Sequence, residues 1–168
     1  MQSALPTPQA EQADPALASL MDRIREAAAR GQALRIRGGG SKDFYGEPTQ
    51  EGEPLSTAGL TGIVSYEPSE LVVTARAGTP LAQLETLLAA QGQCLPFEPP
   101  HFKGGATVGG MVAAGLSGPA RASVGSVRDY VLGAQLVNGR GQLLVFGGQV
   151  MQNVAGSAVS RLLAGALG

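Results

Sequence analysis

Arg37-Gly38-Gly39-Gly40-Ser41-Lys42 places three consecutive glycines between two cations, with a hydroxyl beside the second. Glycine lets a chain turn sharply, so that neighbouring backbone N–H groups converge on one small volume. Arg37 and Lys42 would add positive charge beside such a nest, and that combination of groups suits a phosphate. A bare triple glycine is also what a flexible tight turn uses. The six residues alone leave both readings open.

A second cluster, Gly104-Gly105-Ala106-Thr107-Val108-Gly109-Gly110, lies where a loop enters a predicted helix. A helix start offers free N–H groups and the positive end of the helix dipole, and residues without bulky side chains permit close approach. Glycines at such a place also serve helix packing. Taken with the first cluster, they suggest two backbone cradles that could hold one diphosphate from both sides.

Other chemistries find little support. No Gly-x-Gly-x-x-Gly is present: Gly38 and Gly40 are followed by Asp43, and Gly139 and Gly141 by Leu144. Lys42 lacks the glycine spacing of a Walker loop, so a Rossmann or P-loop site is not expected. His101 is the single histidine, and without Cys or clustered acidic neighbours it makes no metal site. In its proline-rich loop it reads as structural. No Gly-x-Ser-x-Gly elbow supports serine hydrolysis. Arg128 and Asp129 could pair and lock a turn, and Cys94 reads as a small core residue.

The elements that must position these residues follow from periodicity. Asp14-Pro15 caps a helix whose apolar stripe is Leu17, Leu20, Met21, Ile24 and Ala28, stopped by Gly31. Residues 1–13 read as a disordered lead-in, and 14–168 as one domain. A strand through Leu34 and Ile36 feeds the triple glycine. A short strand is possible at 55–57, and two more flank the Glu67-Pro68-Ser69 bend, at 63–66 and 71–75. Thr79-Pro80 opens a helix with a Leu81, Leu84, Leu87, Leu88 stripe, closed by Gly92. Cys94-Leu95 reads as extended. Thr107 can cap a small-residue helix to about Leu116, followed by a turn region from Gly118 to Gly125. Two strands then flank an Asn138-Gly139 hairpin turn, and Ser157–Leu167 reads as helical. This α+β order predicts small sheets covered by helices, with both hairpins and crossovers.

Composition narrows the setting. The 168 residues carry a formal charge of −1, no basic stripe and 15% charged residues, which gives no footprint for nucleic acid. One cysteine excludes an internal disulfide and fits a reducing, cytoplasmic compartment. No apolar run reaches the ~18 residues of a membrane span.

The motifs also occur in a familiar order. The first glycine loop resembles the pyrophosphate loop of the vanillyl-alcohol oxidase/para-cresol methylhydroxylase type of FAD-binding domain, and Gly105–Gly110 is similar to that family's second FAD loop. Gly125-Ser126-Val127-Arg128-Asp129-Tyr130-Val131-Leu132-Gly133 resembles its following segment, and Asn138-Gly139-Arg140-Gly141 its hairpin. Leu95–Phe102 and Phe146–Met151 are similar to the FAD-binding subunit of bacterial glycolate oxidases. The resemblance implies two small α/β subdomains with mixed sheets, incomplete at the C-terminus and lacking the substrate-side cap domain. It implies non-covalent FAD, held by Arg37, Gly38, Gly39, Gly40, Ser41, Lys42, Gly105, Ala106, Thr107, Val108, Gly109, Gly110, Gly125, Arg128 and Asp129. It also implies oxidation of glycolate to glyoxylate in a complex with a larger flavin subunit and an iron–sulfur subunit. One departure is Gln152-Asn153-Val154-Ala155-Gly156-Ser157-Ala158, where the family usually has Lys-Asn-Val-Ala-Gly-Tyr-Asp. No catalytic residue is assigned. The alternatives are a scaffold that contacts partner subunits without binding FAD, and a phosphate-binding module unrelated to flavin.

Overall fold

A computed structural model describes residues 14–46, 51–148 and 157–167. The expected lead-in (1–13) and residues 152–156 of the divergent late loop lie outside the described residues.

Helix α1 spans Pro15–Arg30. Asp14 Oδ1 accepts the Ala16 N–H at 2.8 Å, Pro15 occupies the first turn, and Gly31 ends the helix in the left-handed region at φ 62°. The buried stripe runs through Met21 and Ala27, with Ala28 exposed where the spacing predicted it inside. The last turn rotates its apolar face by one residue.

Among the described residues, six strands follow as three separate pairs. β1 (Leu34–Arg37) pairs parallel with β2 (Glu53–Ser56); β3 (Ile63–Glu67) and β4 (Val72–Ala75) are antiparallel, as are β5 (Gly133–Val137) and β6 (Leu143–Gly147). A 3-10 turn at Pro68–Glu70 makes the β3–β4 bend. The β5–β6 loop is wider than a two-residue Asn-Gly turn. Asn138 N–H donates to Gln142 O at 3.0 Å, and Asn138 Oδ1 accepts from Arg140 and Gln142 N–H. The positive φ falls at Gly141 (66°). The asparagine side chain, by mimicking a turn, takes the role the dipeptide was expected to play.

Helix α1 ties the strand pairs together. Arg23 Nη2 donates to Glu53 at 2.6 Å and to Pro54 O at 3.0 Å, and Arg25 Nη2 donates to Gly141 O at 2.8 Å. Asp14 forms an ion pair with Arg76, just beyond β4.

The core sits between α2 (Leu81–Ala89), α3 (Val108–Ala114) and α5 (Val127–Tyr130). Leu81, Leu84, Leu88, Phe97, Ala106, Met111 and Val127 are all buried there, with Ile63, Tyr66 and Val73 of the β3–β4 pair packed against them. The α2 stripe therefore matches its spacing. Ala90, not Gly92, is the C-cap of α2. Thr79 does not cap α2: fully buried, its hydroxyl donates to Gly62 O and accepts from Gly62 N–H, both at 3.0 Å. Cys94 is exposed and Cys94-Leu95 forms no strand, because Gln93 beside it is held by Tyr66 Oη (2.7 Å) and the Pro68 carbonyl (2.9 Å). The Gly118–Gly125 turn region contains a short helix, α4 (Arg121–Val124). The final helix α6 (Ser157–Leu162) packs on β5 and β6, and Gly165 N–H donates to Val112 O at 2.9 Å, closing that end onto α3.

Several large apolar side chains remain exposed, among them Ile36, Leu71 and Leu162. Among the described residues, no helix is long and apolar enough to cross a membrane.

The Thr79 hydroxyl satisfies both backbone groups of Gly62. Thr79→Val keeps the shape and removes both bonds, so unfolding in urea should show a loss of about 1–3 kcal/mol with an unchanged m-value.

Candidate functional site: two glycine loops in contact

β1 ends at Arg37, whose carbonyl accepts the Thr57 N–H at 2.9 Å, and the chain then turns through Gly38–Gly40. The second loop is held by different bonds. Leu81 N–H donates to Ala106 O (2.8 Å), Val108 N–H to Thr79 O (2.9 Å) and Gly109 N–H to Ala77 O (2.7 Å). Thr107 caps α3, its Oγ1 accepting the Gly110 N–H at 3.1 Å. Gly109 is needed because a Cβ there would lie 2.8 Å from the Ala77 Cβ.

These bonds revise one expectation. The N–H groups of Val108, Gly109 and Gly110, at the start of α3, already have protein acceptors and do not face outward. Ala106 and Thr107 are buried. The second loop therefore offers backbone at Gly104 and Gly105, ahead of the helix.

There the two loops meet. A Cβ on Gly39 would fall on the Gly105 carbonyl oxygen, and one on Gly105 would lie 2.9 Å from the Gly39 oxygen. A Cβ on Gly38 would lie 2.7 Å from Thr107 Oγ1. Only glycine allows this backbone-on-backbone approach. Beside it opens a cleft of about 230 Å³ lined by Gly39, Gly40, Ser41, Asp43, Phe44, Lys103 and Gly104. Among the described residues, the N–H groups of Gly39, Gly40, Ser41, Lys42, Gly104 and Gly105 donate to no acceptor.

The two cations of the first loop differ. Arg37 is bound to Asp43, with Nη2 at 2.5 Å and Nε at 3.0 Å from Oδ2. Hydrogen bonding and charge from Arg37 hold the Asp43 carboxyl below the usual range, and Asp43 in turn raises the guanidinium. Lys42 is half-buried, with no carboxylate partner among the described residues; its Nζ donates to Ser41 Oγ at 3.4 Å and sits 5.8 Å from the Phe102 ring centre. Burial alone pulls its ammonium below the usual lysine range.

Asp43, Phe44, Lys103 and Gly104 complete the cleft. The sequence signal for them is adjacency, since Asp43-Phe44 follows the first cluster and Lys103 precedes the second. Phe44 and Phe102 meet edge to face at 4.9 Å, which joins the two loops by side chains as well as backbone.

A family model described as "FAD binding domain" matches residues 17–147. The chain belongs to this family of FAD-binding domains. It is 49% identical over 150 residues to the glycolate oxidase subunit GlcE of Escherichia coli (strain K12), an alignment covering 89% of this chain and 43% of that protein. It is 34% identical over 134 residues to the D-lactate dehydrogenase of Archaeoglobus fulgidus, covering 79% of this chain and 30% of the relative. The chain thus spans less than half the length of these curated relatives. Among solved structures, alkyldihydroxyacetonephosphate synthase superposes with a TM-score of 0.66 at 19% identity, over 90% of this chain and 29% of that one. The α+β fold expected from the resemblance, the para-cresol methylhydroxylase type of FAD-binding domain, is borne out.

Gly125, Arg128 and Asp129 of this FAD-binding domain do not line the cleft. The expected Arg128–Asp129 pair is replaced by a capping box. Asp129 Oδ2 accepts the Ser126 N–H at 2.8 Å and its hydroxyl at 3.1 Å, because closing α5 satisfies two donors at once. Those two bonds, more than the nearby Arg161 and Arg128, depress the Asp129 carboxyl. His101 Nε2 lies 2.7 Å from Glu85 Oε2 on α2.

The contact between the loops predicts a position-specific glycine requirement. Gly39→Ala should cost about 1–3 kcal/mol by forcing the loops apart. Gly59→Ala, with nothing within 4 Å of its Cβ, should stay within ~0.5 kcal/mol. Thermal unfolding of the two variants side by side checks this.

Proposed function

We propose that residues 14–168 bind FAD, with its diphosphate in the cleft between the two glycine loops. The carrying observation is the Gly39–Gly105 contact beside a cleft whose lining glycines and Ser41 have N–H groups with no acceptor among the described residues. The groups present suit a diphosphate: backbone donors with no acceptor among the described residues, a lysine with no carboxylate partner among them, and glycines whose Cβ atoms would close the approach. Gly38, Gly39, Gly40, Ser41, Lys42 and Gly105 are the assigned binding residues. Ala106, Thr107, Val108, Gly109 and Gly110 shape the second loop, while Gly125, Arg128 and Asp129 brace its surroundings from outside the cleft.

FAD, when bound, would supply the two-electron redox chemistry, and the protein would hold and orient it. The similarity to GlcE and to a D-lactate dehydrogenase supports a role in a flavin-dependent oxidoreductase of 2-hydroxy acids, converting glycolate to glyoxylate. GlcE is named as a subunit, which supports assembly with other chains; a larger flavin subunit and an iron–sulfur subunit fit that role. The exposed Ile36, Leu71 and Leu162 offer apolar area for such contacts. A reducing, cytoplasmic setting agrees with the single exposed Cys94.

Titration with FAD, followed by flavin fluorescence, tests the reading. The chain should take up flavin and release intact FAD on denaturation; a chain that stays colourless with added FAD would contradict it. Lys42→Met should weaken binding about ten-fold, the scale of one charge-assisted bond. A charged lysine attracts the diphosphate, and burial makes Lys42 lose its proton at lower pH than an ordinary lysine. Affinity should therefore fall as pH rises through that lowered range, and Lys42→Met should flatten the fall.

A further inference from the structure

We propose that Arg37 and Asp43 form a positioning pair that fixes the first glycine loop, and that Arg37 is not a counter-charge to the diphosphate. The inference rests on the diphosphate reading of the cleft but concerns a different property of the loop, its shape. Arg37 closes β1, with its carbonyl fixed by the Thr57 N–H at 2.9 Å. From that anchored backbone the guanidinium folds back across the turn and meets the Asp43 carboxylate along its Nε–Nη2 edge. Nε lies 3.0 and 3.3 Å from the two oxygens, and Nη2 lies 2.5 Å from Oδ2.

The guanidinium also occupies the space over Gly40. A Cβ on Gly40 would contact Nη2 and lie 2.9 Å from Cζ, and φ is +73° there. The turn and the fork are therefore fitted to each other. Asp43 N–H closes the same turn by donating to Gly40 O at 3.3 Å. The pair has two consequences for the cleft. It holds the backbone of Gly39, Gly40 and Ser41, which line the cleft, and it neutralises a carboxylate on the lining that would otherwise repel phosphate. Asp43 precedes Phe44, so the same clamp sets the ring that meets Phe102 across the two loops.

The two possible roles of Arg37 predict opposite signs. If it were a phosphate ligand held back by Asp43, Asp43→Asn would free it and tighten FAD binding. As a clamp, Asp43→Asn loosens the loop and weakens binding, by about three-fold for a half-exposed pair. Arg37→Lys should weaken it as much, because an ammonium keeps the charge but lacks the planar fork. Arg37→Gln combined with Asp43→Asn should be no worse than either alone, since both remove one interaction.

The experiment is FAD titration of the whole 168-residue chain and these variants at one ionic strength, with circular dichroism confirming the fold. It is paired with hydrogen exchange, without flavin, at the Asp43 and Tyr45 amides, whose N–H groups donate to Gly40 O and Lys42 O within the turn. Faster exchange in Asp43→Asn together with weaker binding is the expected result. Tighter binding in Asp43→Asn, wild-type affinity in Arg37→Lys, or unchanged exchange would overturn the pair. Failure of the wild-type chain to bind FAD would instead tell against the cofactor reading, and the exchange comparison would still decide the clamp.

Discussion

The close approach of Gly39 to Gly105 is the constraint on which this molecule depends. It joins a loop leaving the β1–β2 pair to a loop entering α3, elements separated by more than sixty residues. Each side is braced independently. The first loop is held by the β1–β2 pairing, the Thr57 bond and the Arg37–Asp43 pair. The second is held by bonds from Leu81, Val108 and Gly109 to the Ala77–Ala106 framework, with the α2–α3 core beneath it. Two backbones brought that near without side chains between them leave a cleft beside the contact, lined from both loops by Gly39, Gly40, Ser41 and Gly104.

The electrostatics of the cleft follow from local pairing and not from net charge. The chain is nearly neutral overall. Within the first loop Arg37 and Asp43 cancel, and Lys42 remains as a partly desolvated cation next to the open N–H groups. A desolvated ammonium without a carboxylate is costly in the free protein and gains most from an anion. On the diphosphate reading, Lys42 is thus the charge that matters, because its environment suits it least without an anion.

Much of this was legible in the sequence, and the departures share a cause. The α1 cap, the α2 stripe, the Thr107 cap and the glycine loops depend on local spacing, which sequence displays directly. Sequence could not show that Gly109 N–H and Val108 N–H are taken by Ala77 and Thr79, because those partners are about thirty residues away. A helix start looks the same in sequence whether its donors are free or bound. Likewise Arg37 next to a glycine turn reads as a free cation until Asp43, beyond the turn, is seen folded against it. Asp129 turned from Arg128 to Ser126 because a capping box satisfies two donors, a preference that Ser-x-x-Asp spacing does signal. Cys94 in a helix-to-loop segment gave no clue to its exposure, which is set by how Tyr66 anchors Gln93 beside it.

If both loops grip one ligand together, hydrogen exchange with and without FAD measures it directly, read over residues 38–42 and 103–106 in the same sample. One diphosphate accepting from both edges should slow exchange in the two segments in parallel as FAD is added. Flavin that binds while either segment exchanges at its free rate would contradict the account.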